Sequence, residues 1–414
     1  MAVRIQRTFS AANPTRTALS ALVISFSIAS AQVSFEISRI DTVRGESIAL
    51  FDVDRDGALD IVSTNHWYRG PDWTPIHFRN LQVRGEQVTE NGVGQFENDF
   101  NVPLDLDHDG DLDVVTASWG TPLRWYENVP SGLWPVRQLD ETVHNHHTAE
   151  LWDIDGDGKA QEMLTGKTST SWWEVDPDST SSTRLRRHVV SANDKQWGYG
   201  AGDVNGDGRT DILRGNAWYE APLDPLTGTW TERCLSLGWI QDVGHVFPVT
   251  DECGSSEHVQ QIWVSDVNGD GLSDLIAGAA HTYGLFWYEQ VKNNGEISFI
   301  PHEIDHSWSQ AHALSLADLD LDGDLDLVTG KRWRAHGGGD PGADEPNGMY
   351  WYEVSPGEVN PWTKHIISYD NGVGAGNNVG IADMDKDGDL DIVVTTKEGG
   401  PYLLENQLIP TPSQ

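Results

Sequence analysis

Carboxylates recur in this chain at a spacing that suits a hard cation. The string DVNGDGRTD begins at Asp203, and related strings begin at Asp52, Asp105, Asp153, Asp266, Asp318 and Asp383. Their oxygen-bearing side chains fall at alternate places: Asp52, Asp54, Asp56 and Asp60; Asp105, Asp107, Asp109 and Asp113; Asp153, Asp155 and Asp157. Next come Asp203, Asn205, Asp207 and Asp211; Asp266, Asn268, Asp270 and Asp274; Asp318, Asp320, Asp322 and Asp326; Asp383, Asp385, Asp387 and Asp391. Ca²⁺ takes six to eight oxygens, so alternate carboxylates with a backbone carbonyl form a suitable wrap, and glycine at the sixth place permits the sharp turn. An EF-hand would need Glu at the twelfth place, where this chain has Ser63, Thr116, Leu164, Arg214, Ala277, Thr329 and Val394. The third copy has Gln161 at the ninth place with Glu162 beside it, so that site is expected to be the weakest or empty. Up to seven structural Ca²⁺ are therefore expected.

Such loops must be held by regular elements. The intervals between first aspartates are 53, 48, 50, 63, 52 and 65 residues, the signature of a repeat architecture. Each unit has a strand such as HALSLADLD leading into the acidic loop and a strand such as LDLVTG leaving it. A third centres on WYE, and a fourth resembles TKHIIS. Four short strands per unit make a propeller blade. The all-β expectation is thus a seven-bladed β-propeller over residues 32–414, with a calcium loop in each blade. FEISRID, from Phe35, resembles the fourth-strand segments, while the chain stops soon after YLLE, so the N-terminal strand is expected to close the ring. The aromatic motif at Trp67, Trp125, Trp172, Trp218, Trp287 and Trp351 recurs in nearly every unit, which points to packing between blades.

Composition restricts the setting. Residues 1–31 carry Arg4, Arg7 and Arg16, an apolar run from Ala18 to Ala29 and a small-residue triplet before Gln32, the pattern of a signal peptide. The apolar run is short of a membrane span, so the mature chain is expected to be secreted, extracellular or periplasmic. Its removal takes the formal charge from -37 to -40, which excludes nucleic acid as a partner. Of the 64 acidic residues, 25 are aspartates at the first, third, fifth and ninth places of the seven loops, and seven Ca²⁺ would leave about -26. Cys234 and Cys253, the only cysteines, are expected to bridge in an oxidising compartment.

The acidic loop with Asp at its ninth place resembles the calcium loops of FG-GAP or VCBS repeats, whose fold is the integrin-type propeller. HHTAELWDIDGDGK, WGYGAGDVNGDGRTDIL and HALSLADLD followed by LVTGKRWRAHGGGDPG resemble the propeller domain of aldos-2-ulose dehydratase and its bacterial relatives. In such propellers ligands bind on the rim opposite the calcium loops. Six residues before each first aspartate stand Glu46, Asp99, His147, Trp197, Gln260, His312 and Asn377, all with polar atoms. The loops between second and third strands add His66, Lys167, Arg214, His281, Tyr283, Lys331, Arg332, Arg334, His336 and Lys397, a set rich in basic side chains that suits an anionic or oxidised sugar. The resemblance implies a carbohydrate ligand and a dehydratase or lyase working by β-elimination. Candidate roles are His147 or His312 as base, Lys331 and Arg332 as clamp, and His336 or Tyr199 as acid. His144 and His146 could share one face of an extended segment and hold a transition metal. The competing reading is a non-catalytic glycan-binding or protein-binding module.

Overall fold

A computed structural model describes residues 33–409 except 85–94, 97, 119, 141–147, 166–168, 177, 179–183, 193–197, 236, 238–246 and 249–258. The expected signal peptide lies outside the described residues. So do His144, His146, His147, Lys167, Trp197 and Cys253.

Five sheets are separate four-stranded antiparallel blades. In the first repeat the strands run Ile48–Phe51, Asp60–Ser63, His66–Arg69 and Thr74–His77. The second repeat uses Phe100–Leu104, Asp113–Ala117, Leu123–Tyr126 and Val136–Asp140, and the third Ala149–Trp152, Glu162–Thr165, Thr170–Val175 and Leu185–Ser191. The sixth repeat uses Ala311–Ala317, Asp326–Lys331, Gly348–Val354 and Trp362–Tyr369. In the last sheet Gly380–Ala382, Asp391–Thr396 and Gly399–Asn406 are joined by Phe35–Arg39, which pairs antiparallel from Phe35 opposite Asn406 to Arg39 opposite Tyr402. The chain's first described strand thus completes its last sheet.

The expectation of a seven-bladed propeller is corrected: among the described residues there are five separate blades, and the fourth and fifth repeats are fused. Their strands form one nine-stranded sheet in which Tyr199–Gly202 runs parallel to Val259–Ser265, with Tyr199 opposite Gln261. Glycine is the physical cause. A Cβ on Gly200 would collide with the Ile262 carbonyl oxygen, and one on Gly202 would come within 2.7 Å of the Val264 side chain. Without those Cβ atoms two leading strands approach closely enough to pair through their backbones. The short strand Phe247–Pro248 adds the ninth member, against Glu296–Ser309.

The core lies between sheets rather than within any one of them. Apolar clusters join each repeat to the next: Val102, Val115 and Trp125 of the second meet Met163 and Trp173 of the third. At the closure Ile48, Ile61 and Tyr68 of the first repeat meet Met384, Val393 and Leu403 of the last. The third-strand tryptophans are buried in these seams, as the recurrence of WYE indicates. On the outer strands a histidine or arginine covers the ring and bonds the motif's glutamate. His188 stacks on Trp172 at 4.0 Å and reaches Glu174 at 3.1 Å, and His365 stacks on Trp351 at 4.2 Å and reaches Glu353 at 2.9 Å. In the second repeat Arg137 serves the same purpose for Trp125 and Glu127.

Candidate functional site

Each acidic loop joins the leading strand of its repeat to the second strand, and the seven share one backbone path. The fourth place has positive φ throughout, in Arg55, His108, Leu321 and Lys386 as well as in Gly156, Gly206 and Gly269. The sixth-place glycine, from Gly57 to Gly388, does likewise. This path folds the first aspartate back over the turn, where it accepts the sixth-place N–H. Gly57 N donates to Asp52 Oδ2 at 2.8 Å and Gly271 N to Asp266 Oδ2 at 2.8 Å.

Carboxylate oxygens converge as a result. In five loops three of them, one from each residue, lie within 4.8 Å of one another: Asp52, Asp54 and Asp60; Asp105, Asp107 and Asp109; Asp153, Asp155 and Asp157; Asp318, Asp320 and Asp322; Asp383, Asp385 and Asp391. The fourth and fifth loops place Asn205 and Asn268 where the others have Asp. Buried Oδ1 atoms of Asp105, Asp107 and Asp383 and Oδ2 of Asp387 accept no hydrogen bond. Buried anionic oxygens without donors fit a hard divalent cation, and these residues would hold it.

The ninth-place acid has a distinct task. Asp60 Oδ2 accepts Val53 N at 2.7 Å while its Oδ1 accepts Gly70 N at 2.9 Å, which ties the loop to the end of the third strand. Asp113, Asp211, Asp274, Asp326 and Asp391 repeat both bonds. In the third loop Glu162 takes over. It opens the second strand, is buried, and accepts Ile154 N through Oε2 at 2.9 Å, its extra methylene spanning the added place. Gln161 instead donates to Asp157. Burial pushes these groups up, Asp60 to about 6, Asp113, Glu162, Asp211, Asp274 and Asp391 to about 7, and Asp326 to about 8, against backbone hydrogen bonds that lower them.

The leading ends of the inner strands, opposite the acidic loops, hold two buried polar clusters. In one, Arg332 Nε donates to Glu46 Oε1 at 2.6 Å, and Lys397 Nζ lies 3.5 Å from the same oxygen. Asn377 donates its N–H to the Glu46 carbonyl at 2.5 Å and its Nδ2 to the Asp99 carbonyl at 3.1 Å. Gly374 and Gly376 make this approach possible, since a Cβ on Gly376 would collide with the Glu46 carbonyl oxygen. Burial opposes charge on Arg332, yet Glu46 and Asp99 raise its pKa overall. Burial and Arg332 lower Lys397. Lys331 is fully buried with Nζ 3.5 Å from Ser309 Oγ, and burial lowers it against Glu345, Asp344 and Asp340.

Those last three acids come from the Gly-rich and Pro-rich segment after the sixth loop, which is ordered here. Its turn Ala335–Gly338 includes His336, and Ala335 N donates to Gln310 Oε1 at 2.9 Å. Asp340 meets His281 Nδ1 at 3.0 Å, Glu345 accepts from Tyr283, and Arg334 Nε lies 3.3 Å from Asp344. His281 in turn packs edge-on against buried His312, whose Nδ1 is 3.3 Å from the Gln310 carbonyl. His312, Lys331 and Arg332 are therefore near neighbours on the sixth repeat. Tyr199 belongs to the second cluster, where Gln261 Nε2 reaches both its hydroxyl at 3.2 Å and Glu150 at 3.0 Å. Burial pushes Glu150 up to about 7 and Tyr199 well above its ordinary value. Gln260 Nε2 reaches Thr148 at 3.2 Å beside them.

Sequence reasoning missed Gln261, Gln310, Glu150 and the acids of the 330–348 segment. The pairing register shifts between Val259 and Ile262 and again between Ala311 and Ala313, so counting back from each aspartate by a fixed number mistakes which side chain a bulge re-aims. Among the described residues no helix is long and apolar enough to cross a membrane.

The family model for the FG-GAP-like repeat matches residues 266–329, from the fifth acidic loop into the sixth repeat. No curated protein matches the chain. Solved structures with a similar outline include the exotype rhamnogalacturonan lyase YesX, at 11% identity and TM-score 0.45, covering 90% of this chain and 72% of that one. An Agrocybe aegerita lectin described as recognising non-reducing terminal N-acetylglucosamine has 16% identity and TM-score 0.45, with coverage of 91% and 94%. The V. cholerae biofilm matrix protein Bap1 has 10% identity and TM-score 0.44, with 88% of each chain covered.

Proposed function

We propose that the chain is an exported, calcium-stabilised propeller that binds carbohydrate, without catalysis, through the end opposite its acidic loops. One observation carries the ligand reading. At that end the buried donor Gln310 Nε2 and the buried acceptors Asn377 Oδ1 and Asn347 Oδ1 have no protein partner. Unsatisfied donors and acceptors in mixture suit hydroxyl groups, directly or through bridging water, because a hydroxyl offers both roles. An anionic sugar suits the site less well, since Arg332 and Lys397 already face Glu46. Calcium in the acidic loops is supported by the donorless carboxylate oxygens described above. Its role here is structural, clipping the loop between first and second strands.

A second reading, β-elimination on an oxidised sugar as in aldos-2-ulose dehydratase, is favoured by one feature. Lys331 is wholly buried with a lowered pKa, as a lysine acting as a base requires. Against it, the proposed clamp Arg332 is committed to a carboxylate of its own protein.

Both readings meet in one experiment. The calcium-loaded full chain is presented to a glycan array and, separately, to uronate polymers and oxidised sugars while absorbance at the unsaturated-product band is followed. Retention of neutral glycans with flat absorbance is the expected result. Growing absorbance replaces binding by elimination, and the absence of both removes carbohydrate from the account. N-terminal sequencing of the exported protein, expected to begin at Gln32, tests the export reading.

A further inference from the structure

In the EF-hand calcium loop, whose first six places these loops resemble, the seventh place contributes a backbone carbonyl. In the last loop that place is Asp389, and its side chain is wholly buried. Its Oδ2 accepts Ile409 N at 2.7 Å, while its Oδ1 is buried and has no donor. Asp383 Oδ1 and Asp387 Oδ2 in the same loop also lack donors.

The second loop offers a contrast. Asp111 occupies its seventh place with a donorless Oδ1, but Arg55 from the preceding loop lies 3.3 Å from Asp111 Oδ2 and 3.7 Å from Asp109 Oδ1. That arginine supplies part of the countercharge. No ion pair to Asp389 is present among the described residues. Asp324, at the seventh place of the sixth loop, is only partly buried.

We propose that Asp389 is an additional cation ligand, which makes the last loop the tightest calcium site of the chain and couples its occupancy to docking of the C-terminal residues. The inference rests on the calcium reading given above. Its structural logic is local: one carboxylate offers Oδ1 to the cation and holds Ile409 by Oδ2. Just before Ile409, Asn406 bonds Asp391 at 2.8 Å and the Leu319 carbonyl of the sixth repeat at 3.0 Å. The same terminal segment carries the strand to which Phe35–Arg39 pairs. Filling this site therefore fastens the sheet in which both ends of the described chain meet.

The test is a Ca²⁺ titration of the cation-stripped full chain against a chromophoric chelator, for wild type, Asp389→Asn and Asp324→Asn. Wild type should show one site tighter than the rest, weakened at least tenfold in Asp389→Asn and unchanged in Asp324→Asn. Wild-type affinity retained by Asp389→Asn overturns the proposal. If wild type takes up no Ca²⁺ at all, the calcium reading fails first, which is a separate outcome. Should Asp389→Asn not fold, amide exchange of wild type at one equivalent of Ca²⁺ decides the matter. Slowing that begins at residues 399–409 supports the proposal, and slowing that begins at another loop refutes it.

Discussion

Stripping divalent cations should make the stability of this protein fall as pH rises. The ninth-place acids, and Glu162 in their stead in the third repeat, are buried, and in the cation-free state they ionise only at about 6 to 8. Their folded pKa values lie above the unfolded values near 4, so their contribution is complete below pH 4 and is lost as pH climbs through 6 to 8. Moving one such carboxyl from about 4 to about 7 costs about 4 kcal/mol once it must ionise, at 1.36 kcal/mol per pH unit. Two would consume about 8 kcal/mol, comparable with the 5–15 kcal/mol that holds an ordinary domain together. All seven cannot be ionised in place without help. A bound Ca²⁺ reverses the sign by attracting the same charges. The assay is calorimetry at pH 5, 6.5 and 8 after passage over chelating resin, with and without added CaCl₂. The stripped protein should lose about 5 °C or more in Tm between pH 5 and 8, as expected if about 4 kcal/mol is lost from a domain of this size. The calcium-loaded protein should hold level or gain. A stripped protein whose Tm is flat across that interval refutes the reasoning.

Three further perturbations bear on single features. Glu162→Ala should cost about 1–3 kcal/mol in urea melts by stranding the Ile154 N–H, while Gln161→Ala changes stability little. Arg332→Met should cost about 3–5 kcal/mol by removing the guanidinium that faces buried Glu46, and pairing it with Glu46→Leu should recover much of that loss by the same measurement. Leu321→Gly should add about 1 kcal/mol, because the leucine is held at φ 60° on a half-exposed turn, and thermal melts in calcium check the sign.

Repeating chemistry was the most legible part of the sequence. Strand, acidic loop, strand and WYE recur with residue types that leave few alternatives, so the all-β class and the strand order within each repeat could be read directly. The number of separate blades could not. It turned on Gly198, Gly200 and Gly202, whose missing Cβ atoms let two repeats share a sheet, and glycine in a leading strand reads equally as a bend. That Glu162 takes the structural place of the ninth-place acid in the third loop was not legible, because a one-place shift compensated by one extra methylene is invisible to counting. At the opposite end the cations Lys331, Arg332 and Lys397 were legible. Their partners were not, because Glu46 lies 286 residues from Arg332 in the chain.

The glycine seam between the fourth and fifth repeats also sets where the assembly can be cut. Other neighbouring repeats join by side-chain packing and by isolated main-chain bonds, such as Asn377 N to the Glu46 carbonyl and Ala375 N to the Lys331 carbonyl, whereas this pair merges into one sheet with Tyr199 opposite Gln261. New termini introduced by circular permutation should be tolerated at other junctions and resisted at this one. Under tension the wheel has one weld, and it tears first at its unwelded spokes.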